Sequence, residues 1–258
     1  MNPMIVLTGP TAVGKTKLSI ELAKSIGGEI ISADSMQVYR HMDIGSAKVT
    51  KEEMQNVPHH LIDILEPWDA FNVVVFKEKC LEVLDGIYQR GNIPIVTGGT
   101  GFYIQALLRD IDFTENDDDG GTIRTELEKL AREKGGEYLH SELAKVDNES
   151  AKDIHPNNVK KVIRALEYYK LTGQKISEHN REQRQKESPY NFLYLVLNDD
   201  RQLLYDRIDK RIDIMIKDGL IDEVKSLKEK GYTLISKVLP VKRVAKSELS
   251  KKALDPVI

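Results

Sequence analysis

The chain has 258 residues and a formal net charge of −3, a length that fits one large domain or one domain with a sizeable insertion. The slight negative charge excludes bulk attraction to nucleic acid, so any polyanion would have to bind at a local basic patch. A single cysteine, Cys80, excludes an intrachain disulfide, and no apolar run approaches the ~20 residues of a membrane-spanning helix. Because the N-terminus also lacks a signal-peptide pattern, the sequence predicts a cytoplasmic protein.

The N-terminal part of the chain alternates between short apolar runs and amphipathic helical patterns. Strands are predicted at residues 4–9, 28–34 and 93–101, where apolar runs end in glycine or polar residues. Helices are predicted at residues 15–27 and 73–91, each closed by a glycine. Strands that alternate with helices are typical of a parallel α/β sheet.

The stretch GPTAVGKT follows the first predicted strand and precedes the first predicted helix. It fits the phosphate-loop pattern G-x-x-x-x-G-K-[ST] in full. In such a loop, backbone N–H groups and the helix N-terminus face the anion, lysine adds a charge, and the hydroxyl binds Mg²⁺. The residues of this predicted site are Gly9, Pro10, Thr11, Ala12, Val13, Gly14, Lys15 and Thr16. The pattern leaves open whether the ligand is a nucleoside triphosphate or another diphosphate ester.

Asp34 and Ser35 come directly after the second predicted strand, in the stretch ISADSMQVY. Ligand sites of α/β proteins lie where parallel strands meet the loops that follow them. A carboxylate at that edge can act as a general base, or it can be a metal-associated or structural group. The residues alone leave these alternatives open.

The composition changes after Asp110. Residues 113–121 are acidic and rich in turn formers, which predicts a linker, and residues 123–187 carry helical patterns without a convincing strand. Strand character returns at residues 192–198, and residues 200–231 predict two helices around Gly219. We therefore predict an α/β fold with a P-loop NTPase-like parallel sheet core flanked by helices and a helical insertion domain. The core would be formed by residues 1–120 and 188–258, and the insertion by residues 121–187.

Five stretches, in this order, resemble one protein family. They are GPTAVGKT, ISADSMQVYRHMDIGSAK, VPHHLIDI, IVTGGTGFYIQALL and IHPNNVKKVIRALEYY. Together they resemble the tRNA dimethylallyltransferase (tRNA isopentenyltransferase) family of bacterial type, over roughly residues 4–225. The second and fifth stretches are long and unusual, so the resemblance is far more specific than the phosphate loop alone. It implies transfer of the dimethylallyl group from dimethylallyl diphosphate to N6 of the adenosine on the 3′ side of the tRNA anticodon, with release of diphosphate.

The resemblance also implies roles for individual residues. Asp34 would be the general base that takes the proton from N6, and Thr100 would contact the target nucleotide. The phosphate loop, Mg²⁺ on Thr16, and Arg211 would stabilise the leaving diphosphate. Arg207, one helical turn before Arg211, is a second candidate for the diphosphate clamp, but a solvated helix face explains it equally well.

A further set of residues matches family positions that contact tRNA. Basic residues in the set suit phosphate contacts, and the loop residues suit a base splayed out of the tRNA. The set is Asp34, Ser35, Met36, Gln37, Thr100, Arg124, Lys160, Lys161, Val162, Ile163 and Arg164. An amphipathic helix with Val162, Ala165, Leu166 and Tyr169 in a core also explains the last part, and both interpretations can hold together. The implied partner is the tRNA anticodon stem-loop, bound by a monomer.

The resemblance ends near Ile235, where the chain continues KVLPVKRVAKSELSKKALDPVI. Family members continue with further helices and a basic stretch, so we expect an atypical, shortened tail that lowers tRNA affinity and stability. Two other functions stay open. One is a small-metabolite kinase that uses ATP and Mg²⁺, although it gives no role to DSMQVY and HPNN. The other is a non-catalytic RNA-binding protein, which would bind the diphosphate without forming product.

Overall fold

The structure, a computed structural model, describes residues 1–111 and 121–232. Its strands are β1 (Asn2–Thr8), β2 (Gly28–Ser32), β3 (His59–His60), β4 (Ile93–Gly98) and β5 (Tyr190–Val196). They form one parallel sheet in the order β3-β2-β4-β1-β5. This confirms the predicted α/β class. The two-residue strand β3 was not predicted, because a run that short carries no alternation to detect.

The helices of the sheet-containing unit flank the sheet on both faces. They are α1 (Lys15–Ile26), α2 (Lys51–Met54), α3 (Val73–Gln89), α4 (Gly101–Leu108), α10 (Arg201–Lys217) and α11 (Leu220–Glu229). The last two are the predicted pair around Gly219. Within the described ranges, no helix is long and apolar enough to cross a membrane.

The two faces of the sheet bury separate apolar layers. Ile31 packs with Phe76 and Cys80 of α3 on one face, whereas its neighbour Ile30 packs with Ile20 of α1 on the other. This opposition follows from the period of two in a strand. Cys80 is fully buried, and burial raises the pKa of its thiol, which confirms it as a core residue.

The remaining helices form a compact unit of their own, with described residues 109–111 and 121–188, while described residues 1–108 and 189–232 form the other unit. They are α5 (Thr122–Lys134), α6 (Gly136–Val146), α7 (Asn148–Asp153), α8 (Val159–Thr172) and α9 (Ile176–Gln185). The helical unit has its own core, which includes Leu127, Leu139, Leu143 and Leu166. Most of the predicted linker and the tail past Ile235 lie outside the described residues, and the predicted domain boundaries stay a prediction.

A buried carboxylate ties together the start of β2 and its neighbours. Glu29, 2% exposed, accepts two hydrogen bonds from Arg90, at 2.8 Å each, and one from Asn92 at 2.8 Å. Nε2 of His60 lies 2.6 Å from the same carboxylate. The hydrogen bonds from Arg90 are the main reason that the pKa of Glu29 falls to about 2. His60 therefore has a structural partner in Glu29.

Replacing Glu29 by glutamine is expected to lower the free energy of unfolding by about 3 kcal/mol at pH 7, the equivalent of its lowered pKa. A carboxyl group whose pKa is lower in the folded state than in the unfolded state stabilises the folded protein at pH values above the unfolded pKa. This stabilisation is lost as the pH falls towards the folded pKa. The difference between the two proteins should therefore shrink as pH falls from about 5 towards 2. Urea unfolding at several pH values measures it, with Glu78→Gln on the exposed face of α3 as control. A constant difference across this range would contradict the assignment.

Candidate functional site

The phosphate loop has the backbone that its sequence requires. Gly9 has φ +148°, and a Cβ there would lie 2.4 Å from the carbonyl oxygen of Leu197. Gly14 has φ +95° and precedes α1, whose N-terminus has no side-chain cap. The first N–H groups of α1 are therefore available to an anion. The side chain of Lys15 donates to the carbonyl oxygens of Gly9 (2.9 Å) and Pro10 (2.8 Å), which closes the loop around the site.

A cavity of about 840 Å³ opens in front of this loop. Residues 11–17 form its floor, and Asp34, Gln37 and Arg211 lie in its walls. Apolar side chains complete the lining, from Val13, Ile20, Met36, Ile208, Ile212 and Met215. The cavity thus joins a phosphate-binding floor to an apolar wall, an arrangement suited to a diphosphate ester with a short hydrocarbon chain.

Three charged groups act on one another around the cavity. Burial lowers the pKa of Lys15, the negative charge of Asp34 raises it, and the positive charge of Arg211 lowers it further. Lys15, Asp34 and Arg211 line this one cavity, although they come from the start of α1, the loop after β2 and α10. Two cations beside one carboxylate favour an anionic ligand.

Asp34 lies at the carboxyl end of β2 with one oxygen committed to the backbone. Its Oδ1 accepts hydrogen bonds from the backbone N–H groups of Met36 (2.8 Å) and Gln37 (3.4 Å). Among the described residues, no hydrogen bond to Oδ2 is found. The side chain is half-buried and lines the cavity. This geometry fixes the carboxylate and keeps one oxygen available to a ligand.

The glycines after β4 hold Thr100 beside the end of β2. A Cβ on Gly98 would lie 2.3 Å from the carbonyl oxygen of Ala33, so the two strand ends approach closely. The backbone N–H of Thr100 donates to the same oxygen at 3.3 Å. Gly99 lines the cavity, and Thr100 is half-buried next to it. The contact of Thr100 with the target nucleotide stays a prediction, and the position of Thr100 next to the cavity is compatible with it.

The two arginine candidates of α10 lie in different surroundings. Arg211 lines the cavity together with Ile208, Ile212 and Met215. The spacing of these four residues is that of a single helical face. Arg207 instead pairs with Asp199 at 2.8 Å and is not among the residues that line the cavity. The structure therefore favours the solvated-face interpretation of Arg207.

In the helical unit, the predicted tRNA-contacting residues fall into two groups. Lys160, Lys161 and Arg164 are exposed on α8, whereas Val162 (0% exposed) and Ile163 (5%) lie in the core. The period of α8 turns these two apolar side chains inward, so they present no side-chain surface to tRNA, and the tRNA contact of the set stays a prediction. Tyr168, rather than the predicted Tyr169, is buried beside them.

Arg124 and Arg164 share one carboxylate partner. Arg124 forms a bidentate pair with Glu167 at 3.0 and 2.9 Å, and Arg164 reaches the same carboxylate at 3.3 Å. Both arginine side chains remain about half exposed. Helices α5 and α8 therefore bring two arginines together around the carboxylate of Glu167, with the charge of Glu128 also acting on Arg124.

Two features near the cavity were missed in the sequence. Lys48 is buried, donates to the carbonyl oxygen of Tyr39 at 2.8 Å, and pairs with Asp43 and Asp63. Residues 45–47 line the cavity. The stretch DIGSAK contains both, but nothing in its spacing indicates which residues turn towards the ligand.

Two family models match this chain. The model described as IPP transferase matches residues 37–249, and the model described as isopentenyl transferase matches residues 3–64. A curated relative from Lachnoclostridium phytofermentans, named tRNA dimethylallyltransferase, is 61% identical over 232 residues, which cover 90% of this chain and 74% of the relative. The first model runs to residue 249, further than the motif resemblance that ended near Ile235.

Solved structures agree with these matches. A tRNA isopentenylpyrophosphate transferase from Staphylococcus epidermidis is 43% identical, with a TM-score of 0.63 over 98% of this chain and 85% of that one. Another from Bacillus halodurans is 41% identical, with a TM-score of 0.64 over 100% and 79%. A eukaryotic dimethylallyltransferase acting on tRNA is 33% identical, with a TM-score of 0.77 over 91% and 57%. The chain is therefore similar to these proteins in sequence and in fold.

Proposed function

The chain belongs to the IPP transferase family and transfers a dimethylallyl group to tRNA, and we propose that it moves this group from dimethylallyl diphosphate to N6 of the adenosine 3′ to the anticodon. The observation that carries the proposal is that the phosphate loop, Asp34 and Arg211 line one cavity with an apolar wall. A phosphate site alone would suit many ligands. The apolar wall and the available carboxylate oxygen add what a prenyl donor and an amine acceptor need.

The phosphate loop and two cationic side chains would hold the diphosphate of the donor. The uncapped N-terminus of α1 and the loop N–H groups supply fixed donors, and Lys15 and Arg211 supply charge. Negative charge grows on the diphosphate as its bond to the prenyl carbon breaks. Preorganised donors stabilise that charge more in the transition state than in the bound donor, which lowers the barrier.

Asp34 would act as the base. The lone pair of the adenine amine is delocalised into the ring, so N6 attacks poorly while it keeps both protons. As the N6–carbon bond forms, the carbon–oxygen bond to diphosphate breaks and the diphosphate leaves with that electron pair. A proton passes from N6 to the carboxylate of Asp34. The hydrogen bonds of Oδ1 to the backbone leave Oδ2 for this transfer.

Thr16 suits a Mg²⁺ ion that is held mainly by its substrate, with the carboxylate of Asp34 as nearby negative charge. The Thr16 hydroxyl and the Asp34 carboxylate border the same cavity. Among residues 1–111 and 121–232, no group of three or more His, Cys, Asp or Glu side chains could hold a metal. Mg²⁺ in such sites takes one or two protein oxygens and completes its shell with phosphate oxygens and water. We propose Thr16 as the protein ligand, and the bound ion would offset charge on the diphosphate.

The basic side chains of the helical unit would bind tRNA phosphates. Lys160, Lys161 and Arg164 are exposed on one helix, and Arg124 lies beside them through its contact with Glu167. Such contacts position an RNA without reading its sequence.

Reading of the target base falls to Ser35, Met36 and Gln37, which follow Asp34 in the chain, and to Thr100. We propose that the enzyme acts as a monomer in the cytoplasm.

Transfer of label from dimethylallyl diphosphate to unmodified tRNA, with Mg²⁺ present, tests the proposed function directly. Label should appear at the adenosine 3′ to the anticodon and nowhere else in the tRNA. A clear preference for ATP over the prenyl diphosphate, without label in tRNA, would support the kinase alternative. Diphosphate and tRNA binding without any transfer would support a non-catalytic RNA-binding protein.

Replacing both Lys160 and Lys161 by alanine is expected to weaken tRNA binding without changing the affinity for dimethylallyl diphosphate. Each lost phosphate contact reduces the slope of log affinity against log salt by about 1, so the slope should fall by about 2. Filter binding of tRNA at several salt concentrations measures the slope. The double variant Lys51→Ala/Lys225→Ala, which removes two exposed lysines of the other unit, is the control. Equal slopes for the two double variants would remove Lys160 and Lys161 from the tRNA contact.

A further inference from the structure

Glu223 of α11 is held by three successive backbone N–H groups of a distant loop. Its Oε2 accepts from Asp43 at 2.9 Å and from Ile44 at 2.7 Å, and its Oε1 accepts from Gly45 at 2.9 Å. Successive N–H groups that point at one anion form a strong binding site for it, and hydrogen bonds to a charged acceptor are stronger than neutral ones. We call this contact of Glu223 with residues 43–45 the loop clasp.

Apolar packing supports the loop clasp from the side. Ile44 packs against the cluster of Leu220 and Val224 on α11, and Met215 of α10 packs against the same cluster. The two helices join at Gly219, whose φ of +105° allows the sharp turn between them. The loop is therefore attached to the helix pair by one charged contact and by apolar packing, which includes the cluster of Leu227 with Met42 just before the loop.

The clasped loop leads directly to the catalytic carboxylate. Residues 45–47 line the cavity, and the side-chain amide of Gln37 donates to the carbonyl oxygens of Ser46 (3.5 Å) and Ala47 (3.3 Å). Gln37 in turn donates its backbone N–H to Asp34 at 3.4 Å. One side of the loop clasp thus carries the residues around Asp34.

The other side of the loop clasp carries the diphosphate clamp. Glu223 lies on α11, and α10, to which α11 is joined, places Arg211 and Met215 in the cavity. Two parts of the fold therefore border the cavity. The α10–α11 pair carries Arg211, and the phosphate loop follows β1 of the sheet. Glu223 supplies a charged contact between this helix pair and residues 43–45.

We infer that Glu223 is a positioning residue. Through the loop clasp it fixes the α10–α11 pair on residues 43–45, and so sets the placement of Arg211 over the bound diphosphate. This inference rests on the proposed function, because it takes the diphosphate as the ligand of Arg211. Without the charge of Glu223, the helix pair would be held by apolar packing alone, through Ile44 and through Leu227, which packs with Val38, Tyr39 and Met42. Arg211 would then spend less time in the position that contacts the ligand.

The test compares Glu223→Gln with Asp222→Asn, its neighbour on the same helix. Glutamine keeps the size of the side chain but removes the charge, whereas Asp222 is exposed and pairs with Lys225 at 3.5 Å. The measured quantity is the dissociation constant of inorganic diphosphate with Mg²⁺, by calorimetry, well below the melting temperature of every variant. Glu223→Gln should weaken binding by about tenfold or more, and Asp222→Asn should leave it within about twofold. Glu223→Asp, which keeps the charge on a shorter stem, should lie between them.

A double-mutant cycle separates positioning from general stability. If Glu223 acts through Arg211, then Glu223→Gln should have little further effect on diphosphate binding in an Arg211→Gln protein. Full additivity of the two losses, or a lowered melting temperature with unchanged diphosphate affinity, would overturn the inference. The tRNA labelling assay on the wild type is scored separately. Wild-type transfer with unaltered diphosphate binding in Glu223→Gln would overturn the inference and leave the proposed function intact.

Discussion

Asp34→Asn is expected to lower the rate of dimethylallyl transfer by about 10²–10⁴-fold, the usual contribution of a general base. Asparagine keeps the shape of the side chain, and its Oδ1 can still accept from the N–H of Met36, so the turn after β2 should persist. What it loses is the ability of the second oxygen to take a proton. Binding of dimethylallyl diphosphate should therefore change little, because the phosphate loop and Arg211 are untouched.

Single-turnover labelling of tRNA with saturating donor measures this rate, and calorimetry measures donor binding in parallel. Asp85→Asn, an exposed carboxylate of α3, is the matched control and should transfer at the wild-type rate. If Asp34→Asn transferred normally, another group would have to take the proton. If it failed to bind the donor, the side chain would serve the metal or the loop and not the proton transfer.

Much of the fold and part of the site could be predicted from the sequence because the signals are local. The phosphate loop lies within eight consecutive residues, and its glycines have the positive φ values that the pattern requires. Asp34 follows an apolar run, so the end of the strand before it can be recognised from the sequence. The edge of a parallel sheet then brings such loop residues together, whatever their separation along the chain.

The remaining parts of the site depend on contacts between distant segments. Glu223 meets the loop at Gly45 across 178 positions of the chain, and no spacing rule reports such a contact. Val162 and Ile163 were grouped with their basic neighbours because the family resemblance covers all five consecutive residues. On a helix, consecutive residues point in different directions, so the pattern of burial divides the group.

Arg207 and Arg211 show the same limit on a single helix. Both are arginines one turn apart, and either could clamp a diphosphate. The apolar residues at positions 208, 212 and 215 share the face of Arg211 in the structure, and that spacing was available in the sequence. What was not available is Asp199, which lies before the helix and takes Arg207 as its partner.

Arg211→Gln is therefore expected to lower kcat/KM for dimethylallyl diphosphate by about 10²–10³-fold, the range for losing one donor to a developing anion. Arg207→Gln, the matched variant one turn away, should cost less than about fivefold, since it removes a surface ion pair. Steady-state transfer to tRNA with varied donor measures both. Arg211→Lys should recover only part of the loss, because lysine keeps the charge but not the planar pair of donors.

The comparison is sharp because the two arginines have the same charge and nearly the same helix position. Asp199→Asn should reproduce the small effect of Arg207→Gln, since both changes break one pair. Equal large losses at Arg207 and Arg211, with no loss at Asp199, would mean that Arg207 leaves Asp199 when the donor binds. The diphosphate would then lie between two arginines, and the predicted clamp of both residues would hold. A loss confined to Arg211 would instead place the leaving group between the phosphate loop and a single guanidinium.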